Sequence, residues 1–317
     1  MKKVLVLYFS QSGQLSDVVR SIAGPLEAAQ GIEVVYECLV PVKPYPFPWP
    51  FLQFFDTFPE TVYDDPQPIA PISEVAKGDF DLIIIAYQVW FLSPAQPITA
   101  FLQSTDGERL LANKPVITVI ACRNMWLMAQ EKMKTRLATL GAHLIDNVVL
   151  TDPATSAATF LSTPIWVLTG NKGPFFHGLV PEAGVSAEDT RRAARFGEAI
   201  AKQLPVRAVG DRSSMLEGLG AVVINDKLVA SEQVGIRSFR IWGALLRSLG
   251  SPGTILRRTV LLVYVAFLII MILTVVPITA LVKCMTTPLM KQRAAKQREY
   301  FAAPSGEGIN RVARLNE

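Results

Sequence analysis

Val4-Leu5-Val6-Leu7-Tyr8-Phe9-Ser10-Gln11-Ser12-Gly13-Gln14-Leu15-Ser16 stands near the beginning of the 317-residue chain. An apolar, β-branched run that stops at small hydroxyl residues and a glycine reads as a strand buried on both faces, then a tight loop, then a helix. The helix follows from spacing, because Val18, Val19, Ile22, Leu26 and Ala29 share one face of Leu15 to Gln30. Between strand and helix lie hydroxyls at Ser10, Ser12 and Ser16, free backbone N–H groups around Gly13, and the positive end of the helix. Together they make an anion cradle that needs no Lys or Arg, and a monophosphate fits it. The pattern is neither G-x-G-x-x-G nor a Lys-bearing P-loop, which argues against a dinucleotide or a nucleotide triphosphate. The bland alternative is a serine-rich turn with a helix cap.

The same alternation continues outward. Further short apolar strands are expected at Ile32 to Cys38, Asp81 to Ala86, Val116 to Ala121 and Leu144 to Leu150, with helices at Ala95 to Leu102 and Met125 to Leu140. Ser186-Ala187-Glu188-Asp189 resembles a capping box with Asp in place of Glu and opens a helix over Thr190 to Leu204, before Pro205. Strands alternating with helices predict a doubly wound α/β domain over residues 1–205. Two insertions interrupt it. Residues 41–71 carry nine prolines among eight aromatic residues, which reads as a polyproline-like cover or as the wall of an apolar pocket. Residues 152–185 contain Trp166, Phe175, Phe176 and His177 and are placed to close the same pocket.

The remainder of the chain has a different character. Net charge is +4, but residues 1–210 carry −3 and residues 211–317 carry +7. A uniformly basic protein would suggest nucleic acid; a basic third beside an apolar run suggests anionic lipid, and no nucleic-acid partner is expected. Residues 206–258 read as a linker and an interfacial amphipathic helix, with Ile236, Phe239, Trp242, Leu246 and Leu249 on one face and Arg237, Arg240 and Arg247 on another. Thr259 to Val282 holds 24 residues without a charge, and at 1.5 Å per residue it reaches about 36 Å, enough for a transmembrane helix. Arg257, Arg258 and Lys283 are expected among headgroups, and 283–317 is a basic tail. The N-terminal apolar run is too short for a signal peptide, so the expectation is a single-pass inner (cytoplasmic) membrane protein with its large domain in the cytoplasm. Cys38, Cys122 and Cys284 match neither a disulfide framework nor a zinc spacing, and no metal is expected.

Phe9-Ser10-Gln11-Ser12-Gly13-Gln14 before a helix resembles the phosphate loop of flavodoxin-like proteins, whose five-stranded parallel sheet binds FMN. The resemblance continues at Asp81 to Trp90 with Pro94 and Pro97, and spans about residues 1–204. Leu15 stands where the pattern usually has another hydroxyl. A closer similarity is to the membrane-associated dialkylresorcinol-condensing enzymes. Pro46-Phe47-Pro48-Trp49-Pro50, Phe55-Asp56-Thr57-Phe58-Pro59-Glu60 and Ala121-Cys122-Arg123-Asn124-Met125-Trp126 carry it. That likeness implies formation of alkylated resorcinols from β-ketoacyl units beside a ketosynthase.

The resemblance implies that Ser10, Ser12, Gly13, Gln14, Leu15 and Ser16 hold the phosphate. Gln88, Val89, Trp90 and Phe91 would meet one side of the ring, and Cys122, Arg123, Asn124 and Trp126 the other. Thiolase-like condensation needs a nucleophilic Cys with His partners, for which the chain offers Cys122, His143 and His177. Flavin redox chemistry needs fewer special side chains. Tyr87, Asp56, Arg123 and His177 are the candidates for proton handling. Three readings follow: an FMN-dependent oxidoreductase that forms or aromatises a dialkylresorcinol ring, an NAD(P)H-dependent lipid-quinone reductase, and a flavin-free membrane scaffold for a ketosynthase. Lipid, an alkyl-chain substrate or quinone, and a second copy of the chain in a homo-oligomer are the partners these readings name.

Overall fold

A computed structural model describes residues 1–208, 210–286 and 291–306. The end of the basic tail, with Arg311 and Arg314, lies outside the described residues. Strands β1 (Lys2–Tyr8), β2 (Ile32–Cys38), β3 (Leu82–Tyr87), β6 (Pro115–Cys122) and β7 (His143–Thr151) form one parallel sheet in the order β2-β1-β3-β6-β7. Counting these five alone gives 2-1-3-4-5, the doubly wound order of flavodoxin-like folds. A small hairpin, β4 (Val89–Trp90) and β5 (Ser93–Pro94), follows β3.

Alternation along β1 builds the two layers. Val4 and Val6 face α1 (Gln14–Ala28) and α9 (Ala194–Gln203), where Leu15, Val18, Ile22, Phe196 and Ile200 pack, while α8 (Ala187–Arg192) has no buried residue. Leu5 and Leu7 face α4 (Gln96–Leu102), α5 (Thr105–Leu111) and α6 (Leu127–Thr139), through Ile98, Phe101, Leu127 and Met133. Each such side chain taken fully out of water contributes about 1.5–3 kcal/mol. Ser186 caps α8, its hydroxyl accepting the Asp189 N–H at 3.0 Å. Helices α1 and α9 approach so closely that a Cβ on Gly197 would lie 1.9 Å from the Ile22 carbonyl oxygen.

The first insertion is helical where a polyproline-like cover was one reading. It folds into α2 (Phe51–Asp56) and α3 (Phe58–Val62), where Phe54 packs on Phe55 and buried Phe58 packs on Phe91. In the second, α7 (Ser156–Thr169) meets the first: the Trp49 N–H donates to the Val167 carbonyl at 2.8 Å, and the Phe47 and Trp166 rings pack edge to face.

Residues 206–225 differ from the expected linker. Met215, Leu216, Leu219, Ala221 and Val222 are buried in the sheet layers. Buried Asp146 of β7 organises them, accepting from the Ser214 hydroxyl and the Met215 N–H. The amphipathic stretch also differs: α10 (Asp226–Ser248) turns Ile236, Phe239, Trp242 and Leu246 toward Phe58, Val62 and Tyr264 of the protein rather than toward lipid. The apolar run forms α11 (Ile255–Thr286), longer at both ends than the uncharged stretch, with Leu261, Tyr264 and Val265 buried. Helix α12 (Lys291–Ala302) follows, and Phe301, Ala302 and Ser305 are buried against the sheet domain.

Arg257 sits inside the protein at 1 % exposure, not among headgroups. Its Nε donates to Asp56 Oδ1 at 2.6 Å, and Nη1 and Nη2 donate to the two Glu60 carboxylate oxygens at 2.8 and 2.6 Å. The Asp56 and Gly250 carbonyls take the remaining donors. A buried charge is tolerated because every donor is used.

Three stability measurements check this packing. Gly197→Ala overpacks the α1–α9 contact and should cost about 1–3 kcal/mol in chemical unfolding. Gly24→Ala, which meets nothing within 4 Å, should gain about 0.5–1 kcal/mol as a helix-interior glycine replaced. Arg257→Met strands two carboxylates and should cost about 3–5 kcal/mol, recovered in part by adding Asp56→Asn and Glu60→Gln.

Candidate functional site

In a parallel sheet every βα loop emerges at the C-terminal edge, and the order in which strands are added reverses between β1 and β3. The Ser10–Ser16 loop after β1, the hairpin after β3, and residues 122–126 after β6 therefore meet at one crevice. Contacts join the first of these to the residue between β3 and the hairpin and to the first insertion: the Gln11 N–H donates to Gln88 Oε1 at 3.3 Å, and Gln11 Nε2 reaches the Pro46 carbonyl at 2.8 Å.

The Ser10–Ser16 loop offers fewer side chains to a ligand than expected. Ser10 Oγ accepts the Ser16 N–H at 3.3 Å, which shapes the turn. Gly13 is the N-cap of α1 in the left-handed region, φ 86°, with open space where a Cβ would stand. Ser12 Oγ is buried without a hydrogen-bond partner. Such an orphan costs about 1–3 kcal/mol, which a phosphate oxygen would recover. Three neighbours are otherwise engaged. Leu15 is 0 % exposed in the core, so only its backbone faces the loop. Gln14 is clamped to Val185, accepting its N–H and donating to its carbonyl, both at 3.1 Å. The Ser16 hydroxyl turns to Tyr8.

The hairpin wall is strained and gripped. Phe91 and Leu92 hold φ of 49° and 60° in a two-residue turn without glycine, a geometry that costs about 1–3 kcal/mol per residue. Phe91 is locked among Phe54, Phe58 and Phe239, and Leu92 lies against Gly235 of α10. Val89 and Trp90 are half-buried, and Trp90 sits edge-on to Phe9, Tyr45 and Trp49, so its ring serves as a wall rather than a free stacking plate.

On the opposite side Cys122, Arg123 and Asn124 are partly exposed, whereas Trp126 is 3 % exposed core. Arg123 Nε donates to Thr159 Oγ1 at 2.8 Å with its guanidinium 3.9 Å from the Phe160 ring centre, and burial lowers its pKa to about 10, still charged at neutral pH. Ser162, one turn beyond Thr159 on the same α7 face, is a second buried hydroxyl without a partner. The unpartnered Ser12 and Ser162 hydroxyls and the charged Arg123 are polar groups of the kind that hold an anionic ligand.

The proton-handling candidates separate differently. Burial, and next the Glu232 carboxylate, push the Cys122 thiol up, which removes it as a thiolate nucleophile. Tyr87 is fully buried and donates to Gln130 Oε1 at 2.6 Å; burial raises it well above the phenolic range. His177 is exposed at the tip of the second insertion, and His143 starts β7, so neither stands beside Cys122. Asp56 is committed to Arg257. Among the described residues no cluster of His, Cys, Asp and Glu could hold a metal ion. A cavity of about 310 Å³, lined in part by Lys43, Tyr45, Gln96 and Arg258, lies beside the hairpin wall at the foot of α11.

Glu232 is the residue that sequence reasoning missed. It is 0 % exposed and accepts the Met128 N–H at 3.0 Å, with the Leu127 and Trp126 N–H groups adding to it, so it caps α6 from a different helix. The signal was present: Glu232 falls on the stripe Val229, Glu232, Ile236, Phe239, Gly243, Leu246, a carboxylate at a core position.

Burial raises the Glu232 pKa to about 7, outweighing the helix N–H bonds. A carboxyl raised on folding contributes stability that is complete below its unfolded value and is lost as pH rises toward 7. Glu232→Gln should therefore be more favourable relative to the native chain at pH 8 than at pH 5.5, by about 2 kcal/mol in paired urea titrations.

No protein-family model matches the chain, and no curated protein does. Among solved structures it is similar to a flavoprotein in complex with FMN from Lactobacillus acidophilus NCFM, at 18 % identity and TM-score 0.38, over 47 % of this chain and 93 % of that one. It is also similar to the flavodoxin WrbA-like protein from Agrobacterium tumefaciens, at 10 % identity and TM-score 0.38, over 66 % and 100 %. A flavodoxin from the domain Archaea aligns at 11 % identity and TM-score 0.36, over 64 % and 99 %. The fold itself stands on strand order and register: a five-stranded, flavodoxin-like parallel sheet.

Proposed function

We propose that the protein is an FMN-dependent oxidoreductase acting on a lipid-soluble, alkyl-bearing substrate. The observation that carries this reading is the buried, unpartnered Ser12 hydroxyl in a loop opened by left-handed Gly13, at the crevice where a doubly wound sheet takes its ligand. Ser12 and the loop N–H groups would hold the phosphate, with Gln88 and Trp90 on one side of the ring and Cys122, Arg123 and Asn124 on the other. When bound, FMN supplies the capacity to accept a hydride equivalent. The two insertions exclude water by closing over the crevice, and Arg123 holds a fixed positive charge beside it.

The finer reading rests on the resemblance to dialkylresorcinol-condensing enzymes: removal of two hydrogens from an alkylated cyclohexanedione to give the resorcinol. The raised Cys122 thiol favours this redox role over a thiolase-like condensation. A lipid-quinone reductase would use the same crevice, with NAD(P)H as the electron donor. A flavin-free scaffold for a ketosynthase is the reading that Leu15 favours, since its side chain contributes nothing to the loop.

Titrating FMN into the detergent-solubilised full chain should quench flavin fluorescence saturably. Ser12→Ala should weaken binding about tenfold, the loss of one hydrogen bond to a charged group, and Gly13→Asp should abolish it. A folded native chain that binds no FMN leaves only the scaffold. Turnover of an alkyl cyclohexanedione without NAD(P)H supports the aromatising enzyme, and NAD(P)H oxidation that requires a quinone supports the reductase.

A further inference from the structure

We infer that α11 meets lipid from one side only, seated in a single leaflet, and that the chain after it returns to the face it left. The inference is independent of FMN binding. It begins with where α12 ends. Arg298 pairs with Asp226, the Tyr300 hydroxyl donates to Glu131 Oε2 at 2.7 Å, and Phe301 is 6 % exposed in the sheet core. Ser305 is 0 % exposed, accepting the Asn147 N–H at 2.7 Å and donating to Asp146 Oδ1 at 2.9 Å. These contacts hold residues 298–305 on the same body as the N-terminal sheet, although α11 lies between them in sequence.

A helix that crossed the bilayer completely would leave residues 287–297 to cross back. That stretch contains Lys291, Arg293 and Lys296, and charged side chains are among the most costly groups to place in hydrocarbon. Backbone without a closed set of hydrogen bonds is equally excluded there.

One face of the helix is already taken. Arg257 is held by Asp56 and Glu60, and Leu261, Tyr264 and Val265 are buried against the domain, while Leu262 and Val263 on the other face are 50 and 58 % exposed, so only that side is open to lipid.

What remains fits a leaflet. Ile269, Ile270 and Leu273 are 50, 60 and 70 % exposed, and α10 adds exposed Val234, Ile241 and Leu245 at helical spacing. Arg237, Arg240 and Arg258 are exposed beside these stripes, placed for anionic headgroups.

The test uses the full chain with Cys38, Cys122 and Cys284 replaced by Ser, carrying one new cysteine at an exposed site: Lys202→Cys on α9 or Ala295→Cys on α12. Membranes from expressing bacteria, right-side-out and inverted, are treated with a membrane-impermeant maleimide. Both sites should react from the same face. Reaction from opposite faces, or an Ala295→Cys site unreactive until detergent is added, overturns the inference. A second measurement addresses the lipid face: Ile270→Glu with Leu273→Glu should reduce co-sedimentation with phosphatidylglycerol/phosphatidylcholine vesicles at least tenfold at unchanged helix content. Unchanged sedimentation overturns the leaflet assignment.

Discussion

Everything distinctive about this protein converges on the buried Arg257 guanidinium. It joins the first turn of the apolar helix to Asp56 and Glu60 of the first insertion, and the Gly253 N–H completes Asp56 at 2.7 Å. Those carboxylates end α2 and lie in α3, whose Phe58 contacts Phe91 of the hairpin wall, Phe239 of α10 and Tyr264 of α11. One saturated ion cluster therefore fixes the insertion, the crevice wall and the apolar helix relative to one another. Removing the charge would disturb all three, because a buried guanidinium without its carboxylates, or the reverse, has no solvent to fall back on.

The sheet domain was legible because its signals are local. Strand after strand is apolar on both faces, and β1 with its serine-glycine loop marks where the crevice must open. The C-terminal third was not legible for a matching reason. A basic amphipathic helix has the same periodicity whether it faces lipid or a neighbouring helix, and only the partner decides. Here Phe58 and Tyr264 are the partner of α10, and residues 214–224 cover the β7 edge instead of spanning a gap. The site divided along the same line. Ser12 and Gly13 follow from sequence order, whereas the engagement of Gln14 with Val185, of Arg123 with Thr159 and of Glu232 with the α6 N-terminus links residues 36 to 171 positions apart. No local pattern encodes such pairs.

The crevice is also held from outside. The hairpin turn of Phe91 and Leu92 is unfavourable in isolation, and α10 supplies the packing that keeps it. The same helix places Glu232 under the opposite loop. Both walls thus depend on one element that also packs against the apolar helix α11, a direct mechanical link between that helix and the geometry of the site.

Docking of Ser305 on β7 has a consequence for how the chain is made. Asn147 and Ser305 are 158 residues apart, and Asp146 draws on both Ser214 and Ser305. The sheet layers have all their strands once residue 151 has emerged, but the buried carboxylate at their edge acquires its last donor only after α11 has been synthesised. Growth from the ribosome therefore releases the apolar helix before the edge of the sheet can be sealed by Ser305.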